Sequence, residues 1–290
     1  TLGILPEHLF AHLPVADIGE AKYNEKPIGA GPYRVSTGLT SQEVLNLELN
    51  PYYYAGQPLI DKVVFSTFDG ENAMLNALIN GNITAAGFAT AVVKEVGNLP
   101  NVNKYVYNLP QYKAVFFNQM AGNKVLADVT VRKALALATD KDRIIKEAAD
   151  GYAVRADSPI LPGFWGFLPD MAKYDFNVSA AADTLKKAGW KDNNQDNIIE
   201  KGKVNLSFTL GFKDDKSNAA VAKVLAENWK NIGAEVILNP LNSSDLINQV
   251  IRPRNYEALI FGQSMGADSD PYAYWHSSQM SDQGLALAIM

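Results

Sequence analysis

The sequence of 290 residues contains no cysteine. Disulfide bonds, thiolate metal sites and a cysteine nucleophile are therefore excluded, although the compartment stays open. The chain also lacks an apolar run near the roughly 18 residues that a transmembrane helix requires. Its longest apolar runs, at 86–93 and 134–138, are far shorter. The first residues, TLGILP, lack the basic start and the cleavage site of a signal peptide.

Positive charge is slightly outnumbered in this chain. Lys and Arg together number 26 and Asp and Glu 31, which gives a formal net charge of −5. A mildly acidic chain without a Lys/Arg cluster argues against binding to nucleic acid or to an anionic membrane surface. Hydrophobic residues make up 47% of the chain, which excludes disorder over most of its length and allows one large or two smaller domains.

Both ends of the sequence look cut. The chain begins at Thr1 without an initiator Met, and it stops inside the apolar segment 286–290 without a terminating Gly or Pro. We therefore expect a fragment of a longer protein, so the missing signal peptide does not locate the parent protein.

Hydrophobic periodicity predicts strands that alternate with helices along the chain. Asp128 and Asp140 are placed to cap two of the helices, and Ser243 or Ser244 a third. Residues 151–170 are rich in Pro and Gly and predict a long surface loop. The pattern indicates an α/β fold with mixed sheets. The predicted strands are 33–35, 43–50, 62–67, 83–86, 112–118, 204–210, 234–238 and 256–261, and the predicted helices are 6–12, 70–80, 92–99, 129–138, 141–149, 179–188, 217–232, 245–251 and 271–275.

Residues 262–266, GQSMG, fit the G-x-S-x-G pattern of a hydrolase nucleophile elbow and follow a predicted strand. An elbow must turn directly into a helix, but Pro271 delays the next helix. Only His276 follows the serine, and it is too close in sequence to come from a separate loop. A serine hydrolase using Ser264 is therefore kept as an alternative that the spacing disfavours.

Two patterns could bind a metal, and both have a simpler interpretation. His8 and His12 have the i, i+4 spacing of helical metal ligands, but a surface pair is the favoured interpretation. Residues 192–200, DNNQDNIIE, resemble the front of a calcium loop. Asn197 occupies the glycine position and Lys203 the position of the bidentate Glu, so a polar hairpin turn is favoured. The sequence predicts neither a metal nor a cofactor.

Several segments, in the right order, resemble the solute-binding proteins of peptide and nickel ABC transporters (extracellular solute-binding protein family 5). The most specific is DVTVRKAL at 128–135, followed by ATDK at 138–141. Thr84 departs from the family pattern, which has an acidic residue there. The other matching segments are IGAGPY at 28–33, NPYY at 50–53, LINGNIT at 78–84, FN at 117–118, residues 175–190, IGAEV at 232–236 and ADSDP at 267–271.

The resemblance implies a periplasmic-binding-protein-like α/β fold of class II, with two lobes that close on a ligand. Residues 1–112 would be the rear part of lobe I, 113–262 a complete lobe II, and 263–290 the start of the return to lobe I. The implied protein is a monomeric, extracytoplasmic receptor, periplasmic or a lipoprotein, that gives a small peptide to an ABC permease. It would not be an enzyme and would meet the membrane only through a lipid anchor outside this fragment.

The resemblance also assigns ligand-binding residues, with Asp268 as the acid that binds a peptide α-ammonium. The segment before it, Gln263, Ser264, Met265 and Gly266, would contact the ligand as well. A receptor for nickel chelates or another non-peptide solute remains the alternative within the same fold. The rival acid, Asp270, precedes Pro271 and is placed to cap the final helix.

Overall fold

The structure is a computed structural model that describes residues 5–24, 26–36, 44–88, 93–97, 99–265, 270–280 and 284–289. The chain forms two compact units, residues 1–102 and 103–290. The lobe boundaries at 112 and 262 stay a prediction, because compactness alone does not assign a segment to a lobe.

The first unit contains a three-stranded antiparallel sheet in the order β1-β2-β3. Asn50 follows β2 and holds the preceding glycine turn in place. Its side-chain amide donates to Gly31 O over 2.8 Å, and its backbone amide donates to Pro32 O over 2.9 Å. The turn at 29–32 is therefore structural, as expected. The strands are β1 Tyr33–Val35, β2 Val44–Leu49 and β3 Lys62–Ser66, and the helices are α1 Glu7–Phe10, α2 Glu71–Ile79 and α3 Val93–Val96, with 3-10 turns at Val15–Glu20 and Lys22–Asn24.

The predicted strand at 83–86 is wrong. The amides of Asn82 and Ile83 instead point to Ala77 O, at 2.8 and 3.4 Å, and close the carboxyl end of α2. Backbone donors used in this way cannot join a sheet ladder. Helix α3 is also shorter than the predicted 92–99.

The second unit is built on a four-stranded mixed sheet in the order β4-β9-β7-β8. Strands β7, β8 and β9 run parallel to one another, and β4 pairs antiparallel with β9. The elements are β4 Gln111–Phe117, α4 Val129–Leu137, α5 Lys141–Ala148, α6 Val178–Lys187, β5 Glu200–Lys201, β6 Val204–Asn205, β7 Ser207–Lys213, α7 Lys216–Lys230, β8 Glu235–Leu241, α8 Ser243–Asp245, a π-helical turn Leu246–Ile251, β9 Ala258–Ser264 and α9 Tyr272–Trp275, with 3-10 turns at Val125–Ala127 and Ser277–Gln279.

The two faces of this sheet bury different cores, because successive strand residues point to opposite sides. Helices α4 to α7 cover one face, where Val115 and Ile260 of the sheet meet them. The π-helical turn and residues 286–289 cover the other face, where they pack on Phe116 and Leu259. We call these the helical face and the opposite face.

Side-chain caps begin helices α4 to α8 of the second unit. Asp128 accepts from Thr130 N and Asp140 accepts from Arg143 N, as predicted. The predicted cap at Ser243 or Ser244 is wrong, because Asn242 Oδ1 accepts from Asp245 N over 2.9 Å. The helix therefore begins at Ser243, and both expected caps lie inside it.

Trp229 ties α7 to the end of α4. Its indole Nε1 donates to Leu135 O over 3.0 Å and to Thr139 Oγ1 over 3.1 Å, while its ring packs on Phe208 at 5.7 Å between centroids. The side chain is 2% exposed, so water cannot replace these bonds. One residue thus joins two helices to the sheet.

We expect Trp229→Phe to lower the free energy of unfolding by about 1–3 kcal/mol, because it removes two buried hydrogen bonds, although Leu135 O keeps its bond from Thr139 Oγ1. Urea denaturation monitored by circular dichroism measures the change. Trp165→Phe is the control: Trp165 is 92% exposed, so its replacement should cost less than about 0.5 kcal/mol. Equal losses in the two variants would contradict the assigned role of Trp229.

Candidate functional site

The predicted ligand segment begins at the end of strand β9. Strands β7 and β9 are parallel, with Leu210 opposite Ala258, so their carboxyl ends lie at the same edge of the sheet. Open α/β sheets bind ligands beyond the carboxyl ends of their parallel strands. This edge is therefore the candidate site.

The structure describes three of the five predicted site residues. Gln263 is 3% exposed, Ser264 is exposed, and Met265 is partly buried. The amide of Met265 donates to Pro110 O over 2.7 Å, which extends the pairing with β4 beyond the strand. Gln263 and Ser264 are neighbours in a strand and point to opposite faces. Gly266 and Asp268 lie outside the described residues.

Ser264 does not lie at an elbow. It is the last residue of β9, pairs with Gln111, and is followed by a further ladder bond at Met265. His276 Nδ1 lies 2.9 Å from Ser278 Oγ and accepts from Ser278 N over 3.2 Å, so the imidazole caps a 3-10 turn. A nucleophile needs a base that is oriented toward it, and among the described residues the ring of His276 bonds to Ser278 and not to Ser264.

Gly262 is compatible with a side chain in this fold. It lies in extended strand, and a Cβ there would meet Tyr112 O at an ordinary 3.7 Å. The protein's own packing therefore does not explain the first glycine of the G-x-S-x-G pattern.

A hydrogen-bonded chain of three side chains lies beside the strand end. Trp275 Nε1 donates to Tyr112 OH over 2.8 Å, and the Tyr112 hydroxyl donates to Gln263 Oε1. Tyr112 and Gln263 are cross-strand partners in the β4–β9 ladder. Burial raises the pKa of Tyr112, although the bond from Trp275 opposes the shift. The tyrosine is therefore neutral at physiological pH and able to donate.

A mainly apolar pocket opens beside these hydrogen-bonded side chains. Tyr112 and Trp275 line it together with residues from the loop after α5 and from the segment around α9. Asp270, which also lines the pocket, accepts from Tyr272 N over 2.9 Å, but the predicted cap is wrong, because the N-cap of α9 is Pro271 and this helix has no side-chain cap. The other lining residues are Pro159, Met265, Pro271 and Tyr274.

An ion-pair network anchors the loop that brings Pro159 to the pocket. Asp157 Oδ1 lies 2.6 Å from Lys141 Nζ of α5, and Asp157 Oδ2 lies 2.9 Å from Arg155 Nε. Arg155 also pairs with Asp175 at 2.8 Å. Desolvation by itself would raise the pKa of Asp157, but the bonds from Lys141 and Arg155 outweigh it and hold the pKa below its ordinary value.

Lys113 lies on the helical face of the same strand end, opposite Gly262. Its Nζ donates to Ser217 Oγ over 3.2 Å. Desolvation lowers the pKa of Lys113, and the nearby Asp215 partly offsets the shift. The two faces of the strand end thus differ in chemistry, since an amine lies on one and an aromatic pocket on the other.

The two sequence patterns that could bind a metal do not adopt the geometry that such a site requires. Residues 192–199 form the loop of a hairpin that the Lys191–Glu200 bridge closes, as expected. Glu200 Oε1 accepts from the amide and the side chain of Asn193, at 3.0 and 2.7 Å. Helix α1 ends at Phe10, before His12, so the His pair does not share a helix. Within the described ranges no group of three or more His, Asp or Glu side chains could hold a metal ion.

Sequence reasoning missed Tyr112, Pro159, Tyr274 and Trp275. They come from three separate segments, and only the β4–β9 pairing and the anchored loop bring them together. The β-prone run at 112–118 was visible in the sequence, but its register against β9 was not. None of the described helices is both long and apolar enough to cross a membrane.

Residues 1–284 match the profile of the bacterial extracellular solute-binding proteins, family 5 Middle. The chain is 32% identical over 287 residues to the oligopeptide-binding protein AppA of Bacillus subtilis, which covers 96% of this chain and 51% of that protein. The chain therefore spans about half the length of that relative.

Solved structures show the same similarity. AppA from Bacillus subtilis in complex with a nonapeptide superposes with a TM-score of 0.72 at 30% identity, over 98% of this chain and 57% of that one. NikZ from Campylobacter jejuni in complex with Ni(L-His) superposes with a TM-score of 0.77 at 25% identity, over 99% of this chain and 57% of that one.

We expect Asp157→Asn to destabilise the protein by about 1.5–3 kcal/mol at pH 7, because it removes the acceptor charge that two cations share. The pKa of Asp157 is lowered in the folded state, so this stability is present above the unfolded pKa of about 3.9. It is lost as the pH falls through the lowered folded value. The difference between the wild type and the variant should therefore shrink between pH 5 and pH 2.

Urea denaturation at several pH values measures this difference. Asp175→Asn is the control at the solvent end of the network, where the side chain is 81% exposed. The free energy of unfolding of Asp175→Asn should be less than about 1 kcal/mol below that of the wild type. A difference between wild type and Asp157→Asn that does not change with pH would refute the ionic role.

Proposed function

We propose, since the chain belongs to the bacterial extracellular solute-binding proteins of family 5, that the whole protein is the receptor of an ABC importer. It captures peptides between two lobes and delivers them to a permease. The observation that carries the proposal is the 32% identity to an oligopeptide-binding protein along 96% of this chain.

The proposal includes the lobe assignment and the location. Residues 1–112 belong to lobe I, residues 113–262 form lobe II, and residues 263–290 begin the return to lobe I. The β4–β9 pairing supports this division, because it places the entry and the exit of 113–262 on adjacent strands. The receptor acts as an extracytoplasmic monomer, periplasmic or held by a lipid anchor outside this sequence.

Asp268 is the proposed anchor of the ligand, with Gln263, Ser264, Met265 and Gly266 contacting it as well. The support is that the described part of this segment, Gln263 to Met265, lies at the end of β9, at the carboxyl edge of the parallel strands. A closed cleft excludes water, and a desolvated ammonium then needs a charged partner. A carboxylate at position 268 supplies that partner to the α-amine of a peptide.

A receptor for nickel chelates is the second candidate, because NikZ in complex with Ni(L-His) has the same fold at 25% identity. The acid at position 268 favours peptides, since it suits a free ammonium. A hydrolase using Ser264 is disfavoured by the extended strand at Ser264 and by the bonds that His276 makes with Ser278.

We expect Asp268→Asn in the full-length parent protein to weaken the binding of a free peptide about tenfold or more, because a charge-assisted bond is lost. N-acetylation of the peptide should weaken binding to the wild type to a similar extent. The two losses should not add, because both remove the same ion pair. Isothermal titration calorimetry of the four combinations measures the effect.

Asp183→Asn is the matched control, since Asp183 is exposed on α6. It should bind the free peptide like the wild type. If Asp270→Asn shows the loss and Asp268→Asn does not, the anchor is Asp270. Equal binding of free and acetylated peptide by every variant would reject the ammonium anchor and favour a non-peptide solute.

We expect no labelling of Ser264 by a fluorophosphonate probe, because the probe reacts with activated serines and activation requires an oriented base. Mass spectrometry of the treated protein checks this, with a known serine hydrolase in the same reaction as the positive control. Stoichiometric modification at Ser264 that is absent from Ser264→Ala would establish the hydrolase instead.

A further inference from the structure

The chemistry of indole fixes the direction of the hydrogen-bonded chain at the pocket. Indole nitrogen only donates, so Tyr112 oxygen accepts from Trp275. The hydroxyl group of Tyr112 is then free to donate its single proton, and Gln263 is the next side chain in the hydrogen-bonded series. The amide of Gln263 therefore presents Oε1 to Tyr112 and directs Nε2 elsewhere.

Gln263 Nε2 has no hydrogen-bond partner among the described residues. Its side chain is 3% exposed, so bulk water does not supply an acceptor. A buried donor without a partner is costly, and native proteins rarely keep one without a reason. An acceptor that arrives with another molecule would remove this cost.

Asn228 shows that burial of an unpaired amide is not enough to indicate a ligand. Its Nδ2 is also unpaired and its side chain is 3% exposed, but it lies within α7 on the helical face. Gln263 differs in two respects. It lies next to the carboxyl edge of the parallel strands, and it bonds to Tyr112, which lines the pocket.

We propose that Gln263 Nε2 donates to a main-chain carbonyl oxygen of a bound peptide, at a subsite lined by Tyr112 and Trp275. This proposal rests on the proposed function and names the group that the receptor reads there. Among the remaining lining residues, Pro159 and Pro271 offer apolar surface to the atoms beside a peptide carbonyl, whereas Asp270 and Tyr274 add polar groups. Met265 lines the same pocket, and its unbranched side chain adapts at little cost to let the carbonyl approach.

Tyr112 and Trp275 are positioning residues in this subsite. Trp275 packs on Phe116 at 5.7 Å between centroids, which fixes its ring on the opposite face of the sheet. Its indole then orients the tyrosine hydroxyl, and that hydroxyl orients the amide of Gln263. The donor is therefore set before the ligand arrives, which reduces the entropy lost on binding.

The test uses the full-length parent protein and a soluble Ala/Lys nonapeptide in which each carbonyl oxygen is replaced in turn by sulfur. Sulfur is a weak acceptor, so one thioamide position should bind the wild type about tenfold less tightly than the parent peptide, which is about 1.4 kcal/mol. Gln263→Met lacks the donor and should bind that thioamide and the parent peptide within about twofold of each other. Titration calorimetry of both proteins with both ligands completes the cycle.

Two further variants separate loss of the subsite from a general loss of stability. Asn228→Leu removes the other unpaired amide and should change the melting temperature without changing the response to the thioamide. Gln263→Glu keeps an oxygen for Tyr112, so it replaces Gln263→Met if thermal melting shows that Gln263→Met is unfolded.

The outcomes separate the two proposals. If the wild type binds no nonapeptide, the peptide-receptor function fails and this subsite fails with it. If the wild type binds the nonapeptide but the sulfur scan is flat, or the losses from sulfur and from Gln263→Met add, the subsite is overturned while the receptor function stands.

Discussion

The pairing of β4 with β9 is the constraint on which the second unit depends. It joins residues that lie about 150 positions apart, from Gln111 opposite Ser264 to Phe117 opposite Ala258. Closing a loop of that length costs conformational entropy, which the burial of Phe116 and Leu259 on one face and Ile260 on the other offsets. The same register places Tyr112 beside Gln263. The fold of the second unit and the candidate site therefore both depend on the pairing of β4 with β9.

Local signals in the sequence predict the elements well and the site poorly. Asp128 and Asp140 cap their helices because capping depends on neighbouring amides. The strand predicted at 83–86 fails because Ala77 O accepts from its first amide, that of Ile83, which a propensity pattern does not show. Tyr112 and Trp275 could not be paired from sequence, because their contact depends on how a strand and a helix that are distant along the chain pack together.

The G-x-S-x-G pattern illustrates how strand geometry changes the meaning of a short motif. In an elbow the serine leaves the sheet, but here the strand continues through Ser264, and Met265 N still bonds to Pro110 O. Neighbours in a strand face opposite sides, so the glutamine and the serine of one motif meet different surroundings. Gln263 accepts from Tyr112, whereas Ser264 lies on the face that carries Lys113. The residues of this motif therefore lie on two different faces of the sheet and do not form one catalytic group.

The adjacency of β4 and β9 also bears on how such proteins diversify. Residues 113–262 begin at Lys113 and end at Gly262, which are direct cross-strand partners. The two junctions therefore lie about 5 Å apart. A segment whose ends meet can be exchanged between related genes as one cassette, because only two neighbouring splice points must match. Recombination at the ends of this proposed lobe can thus import its strands and helices together, while Tyr112 and Gln263, which flank the junctions, stay with the recipient.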